Sequence, residues 1–162
     1  MDETFTTRLH ALLAANPRID SNGCALAVWN PPGVYPRLIP KTETYQPCES
    51  EMTRIYQLTL YIREHLGDPP TTNRGRMLVG SYGWKHILEK LPWKEGTDTY
   101  VSNTEGMVAM MMLGYEPRWS KDPQSPNCVF SISRKVGRPL ADEAYRRLNE
   151  RFQRRQTQPS PC

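Results

Sequence analysis

Residues 107–113, Met-Val-Ala-Met-Met-Met-Leu, most narrow what this chain can fold into. The residues before them, Ser102-Asn103-Thr104-Glu105, form a capping box. The serine oxygen can accept from the Glu105 amide while the Glu105 carboxylate returns to the Ser102 amide. Gly114 supplies the stop. A helix therefore starts at Ser102 and is apolar on every side, and such a helix must be surrounded by other elements. Four of the seven methionines lie in it. A Met-rich surface can bind partners promiscuously, but the core reading fits this pattern better.

The surrounding elements follow from periodicity and punctuation. Residues 4–15 read as a short helix with Phe5, Leu9, Leu12 and Leu13 on one side, ended by Asn16-Pro17. Residues 50–66 read as a helix with Ser50 as its cap. Met52, Ile55, Thr59, Ile62 and Leu66 form its stripe, and Gly67 with Pro69-Pro70 closes it. Residues 81–91 read as a third helix with Trp84, Ile87, Leu88 and Leu91 inward, preceded by a loop that ends in the apolar run Met77-Leu78-Val79. Residues 115–119 and 128–133 read as a hairpin around a proline-bearing turn; Cys128, Phe130 and Ile132 alternate against Val129, Ser131 and Ser133. The last helix opens at Arg138-Pro139, with proline in its first turn, and carries Leu140, Ala144, Leu148 and Phe152 as a core stripe. Asp142 and Glu143 then fall near its positive end, and Arg154 and Arg155 near its negative end.

Fifteen prolines mark the rest. Five between Pro31 and Pro47 make residues 30–47 an irregular connection after a short apolar run at 24–29. Residues 157–162 read as a disordered tail. The chain has no internal repeat, and helices followed by a hairpin and a helix favour an α+β domain over a parallel sheet. A length of 162 residues suits one domain, expected over 1–156. Within it, 76–133 forms a helix-helix-hairpin unit and 134–156 a basic helix.

Composition bounds the function classes. No apolar run approaches the roughly 18 residues of a membrane span, and the acidic start lacks a secretory signal pattern. The expected setting is the cytoplasm, with Cys24, Cys48, Cys128 and Cys162 as free thiols. His10, His65 and His86 are scattered, without the close pairing of a metal site, so no metal or cofactor is expected. No nucleophile elbow or phosphate loop is present, and Gly75, Gly80 and Gly83 lack that spacing; the chain reads as non-enzymatic.

Charge points elsewhere. From Arg134 onward, eight basic residues face three acidic ones, a surplus of +5; the remaining 13 basic and 14 acidic residues give −1. Arg146, Arg147, Arg151, Arg154 and Arg155 can neutralise phosphates, although a charge run alone is often only a wet face. Helix, connection, helix, hairpin is also the order of a winged helix. On that reading Ser102, Asn103 and Thr104 enter a DNA groove. Arg118, Lys121 and Arg134 flank the wing, and Lys85 and Lys94 touch phosphate. The apolar body of the second helix and its connection of about ten residues both depart from a helix-turn-helix. The expected function is nucleic-acid binding, DNA first. The alternative is a protein-interaction module that docks on a host protein through residues 30–47 with Trp29, Tyr35 and Trp119. Homo-oligomerisation is left open by either.

Several segments together resemble a set of small bacterial, phage and mobile-element proteins. They are Ser81-Tyr82-Gly83-Trp84-Lys85-His86, Tyr100-Val101-Ser102-Asn103, Leu113-Gly114-Tyr115 and Pro126-Asn127-Cys128-Val129-Phe130. Those proteins carry the patterns SYGxKH, YVSNG, an alanine-rich helix ending in GY, and PNxxF. The likeness covers about a third of the chain. This chain departs from it at Thr104, where the pattern has glycine, and in its Met-rich helix. The resemblance implies a phage or bacterial origin, hence a host cytoplasm, and a shared compact domain. It implies no activity.

Overall fold

The computed structural model describes residues 2–21, 23–24, 45–72, 74–94, 99–122 and 125–157, with side chains to residue 153. Of the apolar run at 24–29 only Cys24 is described; the rest of it with Trp29, the connection at 30–44 with Tyr35, and the tail at 158–162 lie outside the described residues. The fold is α+β. Its elements are α1 (Glu3–Ala15), α2 (Glu49–Leu66), β1 (Arg76–Gly80), α3 (Ser81–Leu88), α4 (Asn103–Met112), β2 (Arg118–Trp119), β3 (Cys128–Ser133) and α5 (Arg134–Thr157).

α4 is the centre, as its all-round apolarity requires. Every residue from Asn103 to Met110 is buried, and α1, α2 and α3 pack against it. The capping box forms: Ser102 Oγ accepts from Glu105 N–H at 3.1 Å, and Ser102 N–H donates to Glu105 Oε2 at 2.8 Å. Arg54 on α2 donates to Glu105 Oε1 at 2.6 Å, so the buried carboxylate is shared between a cap and an ion pair. Arg8 reaches the other end of α4 and donates to Met112 O at 3.0 Å.

The sheet has the order β1-β3-β2, all antiparallel, with Met77 opposite Ile132, Val79 opposite Phe130 and Arg118 opposite Val129. Period-two alternation sorts its residues. Val79, Cys128, Phe130 and Ile132 are buried toward the helices; Arg76, Leu78, Ser131 and Arg118 lie on the outer face. The hairpin expected at 115–133 is thus present with a shorter first strand, and β1 is a third strand where only a loop with an apolar run was expected.

Three boundaries correct the sequence reading. α2 is capped at Cys48, whose N–H donates to Glu51 Oε2 at 2.8 Å, and not at Ser50. α3 ends at Leu88, since residues 89–91 turn toward Thr99, whose hydroxyl donates to Glu89 O at 2.6 Å. α5 starts at Arg134, directly after β3, and contains Pro139 in its interior. The helix begins a turn earlier because Arg134 N–H is taken by Gly75 O at 2.8 Å, which ties its first residue to the turn before β1. Gly137 lets it lie close: a Cβ there would stand 2.3 Å from Ile132 Cδ1. Of its expected core stripe, Ala144 is buried and Leu140 and Leu148 are half-buried, but Phe152 is 55% exposed. α5 is therefore anchored at its start and runs outward from the core.

Candidate nucleic-acid interface

The groove-facing role expected of Ser102, Asn103 and Thr104 does not fit their surroundings. Thr104 Oγ1 donates to Asp20 O at 2.6 Å, and Asn103 Nδ2 donates to Pro126 O at 2.8 Å and to Asn127 Oδ1 at 3.1 Å. Ser102 caps α4. These polar side chains stitch the core helix to the loops around it, and a buried helix cannot enter a groove. Lys85 is corrected for the same reason. It is 7% exposed, and its ammonium donates to Glu89 Oε1 at 2.7 Å and to Val101 O at 3.0 Å. It also faces the Tyr100 ring at 4.8 Å. Burial would raise the Glu89 carboxyl, but hydrogen bonds from Lys85 and His86 override it and hold Glu89 below its ordinary value.

The arginines of α5 divide. Arg146 bonds to Glu143 at 2.7 Å and to Glu150, and Arg147 bonds to Glu143 at 2.6 Å. This ladder balances much of the charge expected to face a phosphate backbone. Hydrogen bonds from Arg146 and Arg147 lower the Glu143 carboxyl. Arg151 is exposed, and the side chains of Arg154 and Arg155 lie outside the described residues.

Positive charge also collects where β1, β3 and α5 meet. Arg76 and Arg118 alternate outward from the sheet, and Arg134 follows β3 without a loop. Arg134 Nη2 lies 3.4 Å from Arg76 O. Arg74, one residue before Gly75, and Lys135 and Arg138, on the first turns of α5, are exposed beside it. Arg74, Arg118, Arg134, Lys135 and Arg138 make no ion pair with any described residue. Lys121 is exposed in the turn after β2. Along β3, Arg118 (opposite Val129) and Arg76 (opposite Ser133) are separated by roughly 13 Å, at about 3.3 Å per residue. Leu78, 60% exposed, sits between them on the same face.

A cavity of about 340 Å³ opens beside this face. Its walls include Pro70, Arg76, Tyr115, Glu116, Arg118 and Ser131. Arg76 Nη2 donates to Pro70 O at 2.5 Å, which fixes that wall. Tyr115 donates to Gly67 O at 3.1 Å; burial and the nearby Asp68 push its phenol up to about 12, so it stays a donor at neutral pH.

Arg118, Lys121 and Arg134 thus stand where the hairpin reading put them, exposed around the sheet. Arg74, Arg76, Lys135 and Arg138 were not among the expected contacts. Their signal was available: alternation through Arg76-Met77-Leu78-Val79 turns Arg76 outward once β1 is recognised as a strand. Among the described residues, no group of three or more histidine, cysteine or acidic side chains is placed to hold a metal, and no helix is long and apolar enough to cross a membrane. Cys24, Cys48 and Cys128 are free thiols. Comparison with protein-family models, curated proteins and solved structures finds no match.

Proposed function

We propose that this chain is a non-enzymatic nucleic-acid-binding protein that receives phosphates on the outer face of its sheet and on the adjoining start of α5. Its setting is the cytoplasm, that of the host if its origin is a phage or mobile element. The carrying observation is the set of exposed cations that make no ion pair with a described residue, Arg74, Arg118, Arg134, Lys135 and Arg138. Arginine is suited to this work because its planar fork matches two phosphate oxygens. The same side chains on a merely solvated surface would gain by alternating with acids, as they do on α5 from Glu143 to Glu150.

The test is binding to labelled single-stranded and duplex DNA at two salt concentrations. If four of these cations contact phosphate, affinity falls roughly 50-fold for a single strand and 150-fold for a duplex between 50 and 200 mM salt. Charge reversal at Arg134 and Lys135 should abolish binding, while Arg146→Gln should leave it nearly intact. Absence of binding at low salt, or equal losses for the two variants, refutes the reading.

A second reading has its own observation. Tyr82 and Tyr100 are exposed on either side of Lys85, with Tyr82 edge-on to His86. Exposed tyrosines around a fixed cation suit a protein partner, of the host if the origin is viral. Loss of a stoichiometric partner on Tyr82→Ala and Tyr100→Ala, with DNA affinity unchanged, would favour it.

A further inference from the structure

The outer-face cavity is more specific than a phosphate-binding surface requires. Its walls carry two guanidinium groups, Arg76 and Arg118, on opposite ends of one sheet face. Between them, Ser131 presents a hydroxyl that is buried yet makes no hydrogen bond with any described residue. A buried hydroxyl without a partner is unfavourable and calls for an explanation, and a ligand oxygen at this position supplies one. Glu116 lines the same space. Its carboxylate would repel a bare phosphate dianion, so it argues for a ligand that also brings an N–H or O–H donor. A volume of about 340 Å³ is at the small end of ligand sites and suits one compact polar molecule.

Building on the nucleic-acid reading above, we infer that this cavity is a pocket for a single phosphorylated nucleotide. Arg76, Arg118 and Ser131 hold its phosphate, and Glu116 accepts from its sugar hydroxyl or base amino group. A free nucleoside monophosphate and the phosphate-bearing end of a strand share this chemistry. The pocket sits on the face proposed to receive a strand, so an end could enter it without leaving the surface.

The test uses the full chain with three probes: a nucleoside 5′-monophosphate, inorganic phosphate, and a short single strand carrying a 5′-phosphate, a 3′-phosphate or neither. The monophosphate should bind at least tenfold more tightly than inorganic phosphate, and Glu116→Gln should narrow that gap. Arg118→Gln should weaken monophosphate binding about tenfold and Ser131→Ala a few-fold, with the melting temperature of each variant as a check on folding. Preference for a phosphorylated strand over the unphosphorylated one identifies a strand end as the ligand. Equal strand affinities with monophosphate binding retained identify the free nucleotide. If strands bind in a salt-dependent way while neither the monophosphate nor a terminal phosphate is recognised, the pocket is refuted and the broader surface stands. If the monophosphate binds through Arg118 while no strand binds, the pocket stands and the surface reading falls. Monophosphate binding indifferent to both Arg118→Gln and Ser131→Ala also overturns the pocket.

Discussion

Arg54→Met should cost about 3 kcal/mol of folding stability. Glu105 is 1% exposed and accepts from Arg54 Nε at 2.6 Å and from Ser102 N–H at 2.8 Å. Methionine keeps most of the aliphatic stem that packs beside α4 and removes only the charge. The carboxylate is then left in the core with one backbone donor. Breaking a buried pair by removing one member costs about 3–5 kcal/mol, because the survivor is uncompensated. Two features reduce that figure. The Arg54 side chain is 31% exposed, so water can partly take its place, and Glu105 lies in the first turn of α4, where the helix dipole favours an anion. About 2–4 kcal/mol remains. Burial works against the Arg54 charge, but the hydrogen bond and charge of Glu105 override it and raise its pKa, as expected of a favourable pair. For a chain of this length the loss lowers the melting temperature by about 6–12 °C, and the urea midpoint by about 1.5 M if m is near 2 kcal/mol/M. The paired variant Arg54→Met with Glu105→Gln should be more stable than Arg54→Met alone, since no buried charge is then stranded. An Arg54→Met protein within about 0.5 kcal/mol of wild type would refute the reasoning, because the pair would then be no stronger than a surface contact.

The other expectations use the same geometry. Glu89 has a folded pKa below its ordinary 4.5, so its contribution to stability is full above that value and is lost as pH falls through the folded pKa. Glu89→Gln should therefore flatten the acid limb of the stability curve below about pH 5, measured by urea melts across pH; an unchanged limb refutes the assignment. Gly23 has φ +134° and no room for a Cβ, which would stand 2.1 Å from Pro126 O, whereas Gly75 has φ +73° and open space. Gly75→Ala should cost about 1–2 kcal/mol for backbone conformation alone, and Gly23→Ala distinctly more, as read by thermal melts. Arg138→Glu should weaken DNA binding about tenfold at low salt while leaving stability unchanged or up to about 1 kcal/mol higher. Loss of both together would mean that Arg138 serves the fold.

The helices were readable wherever the local pattern decided them. α2 carries a stripe and a stop, and α4 a cap and a stop, that need no tertiary information, and the Ser102–Glu105 capping box forms as the residues imply. β1 was not readable, because it is five residues long and acquires its identity from β3, about fifty positions later. The start of α5 was misread because Pro139 suits a first turn equally well, and only the contact of Arg134 with Gly75 moves the start forward. Four of the expected contacts, Lys85 with Ser102, Asn103 and Thr104, are engaged inside the fold for a related reason. Ser102, Asn103 and Thr104 are polar and looked available, yet their hydrogen bonds close internally on Glu105, Pro126 and Asp20. The arginines of the last helix looked like the positive surface because counting charge cannot see pairing. Arg146 and Arg147 meet Glu143, whereas Arg134, Lys135 and Arg138, a dozen residues earlier, meet no acid among the described residues.

That position is the strongest reason to treat the charge as functional. α1, α2 and α4 follow the dipole rule at their starts, and α3, which has no acid in its first turn, carries Lys85 and His86 in its last. Asp2 and Glu3 open α1; Glu49 and Glu51 open α2, with Arg63 and His65 at its end; and Glu105 lies in the first turn of α4. α5 breaks the rule. Its first turn has no acid, and Arg134, Lys135 and Arg138 stand at the end where the dipole is already positive. Each such cation is unfavourable by about 0.3–1 kcal/mol at low salt. Solubility would be served as well by the same residues one helix length away, at the C-terminal end of α5, where they would stabilise it. A chain that is locally consistent elsewhere and inconsistent at one exposed point usually has a use for that point. A bound phosphate reverses the sign, since helix amides, dipole and three cations then act on one anion. The energetics that look unfavourable for the isolated fold are those the proposed nucleic-acid reading expects of this face.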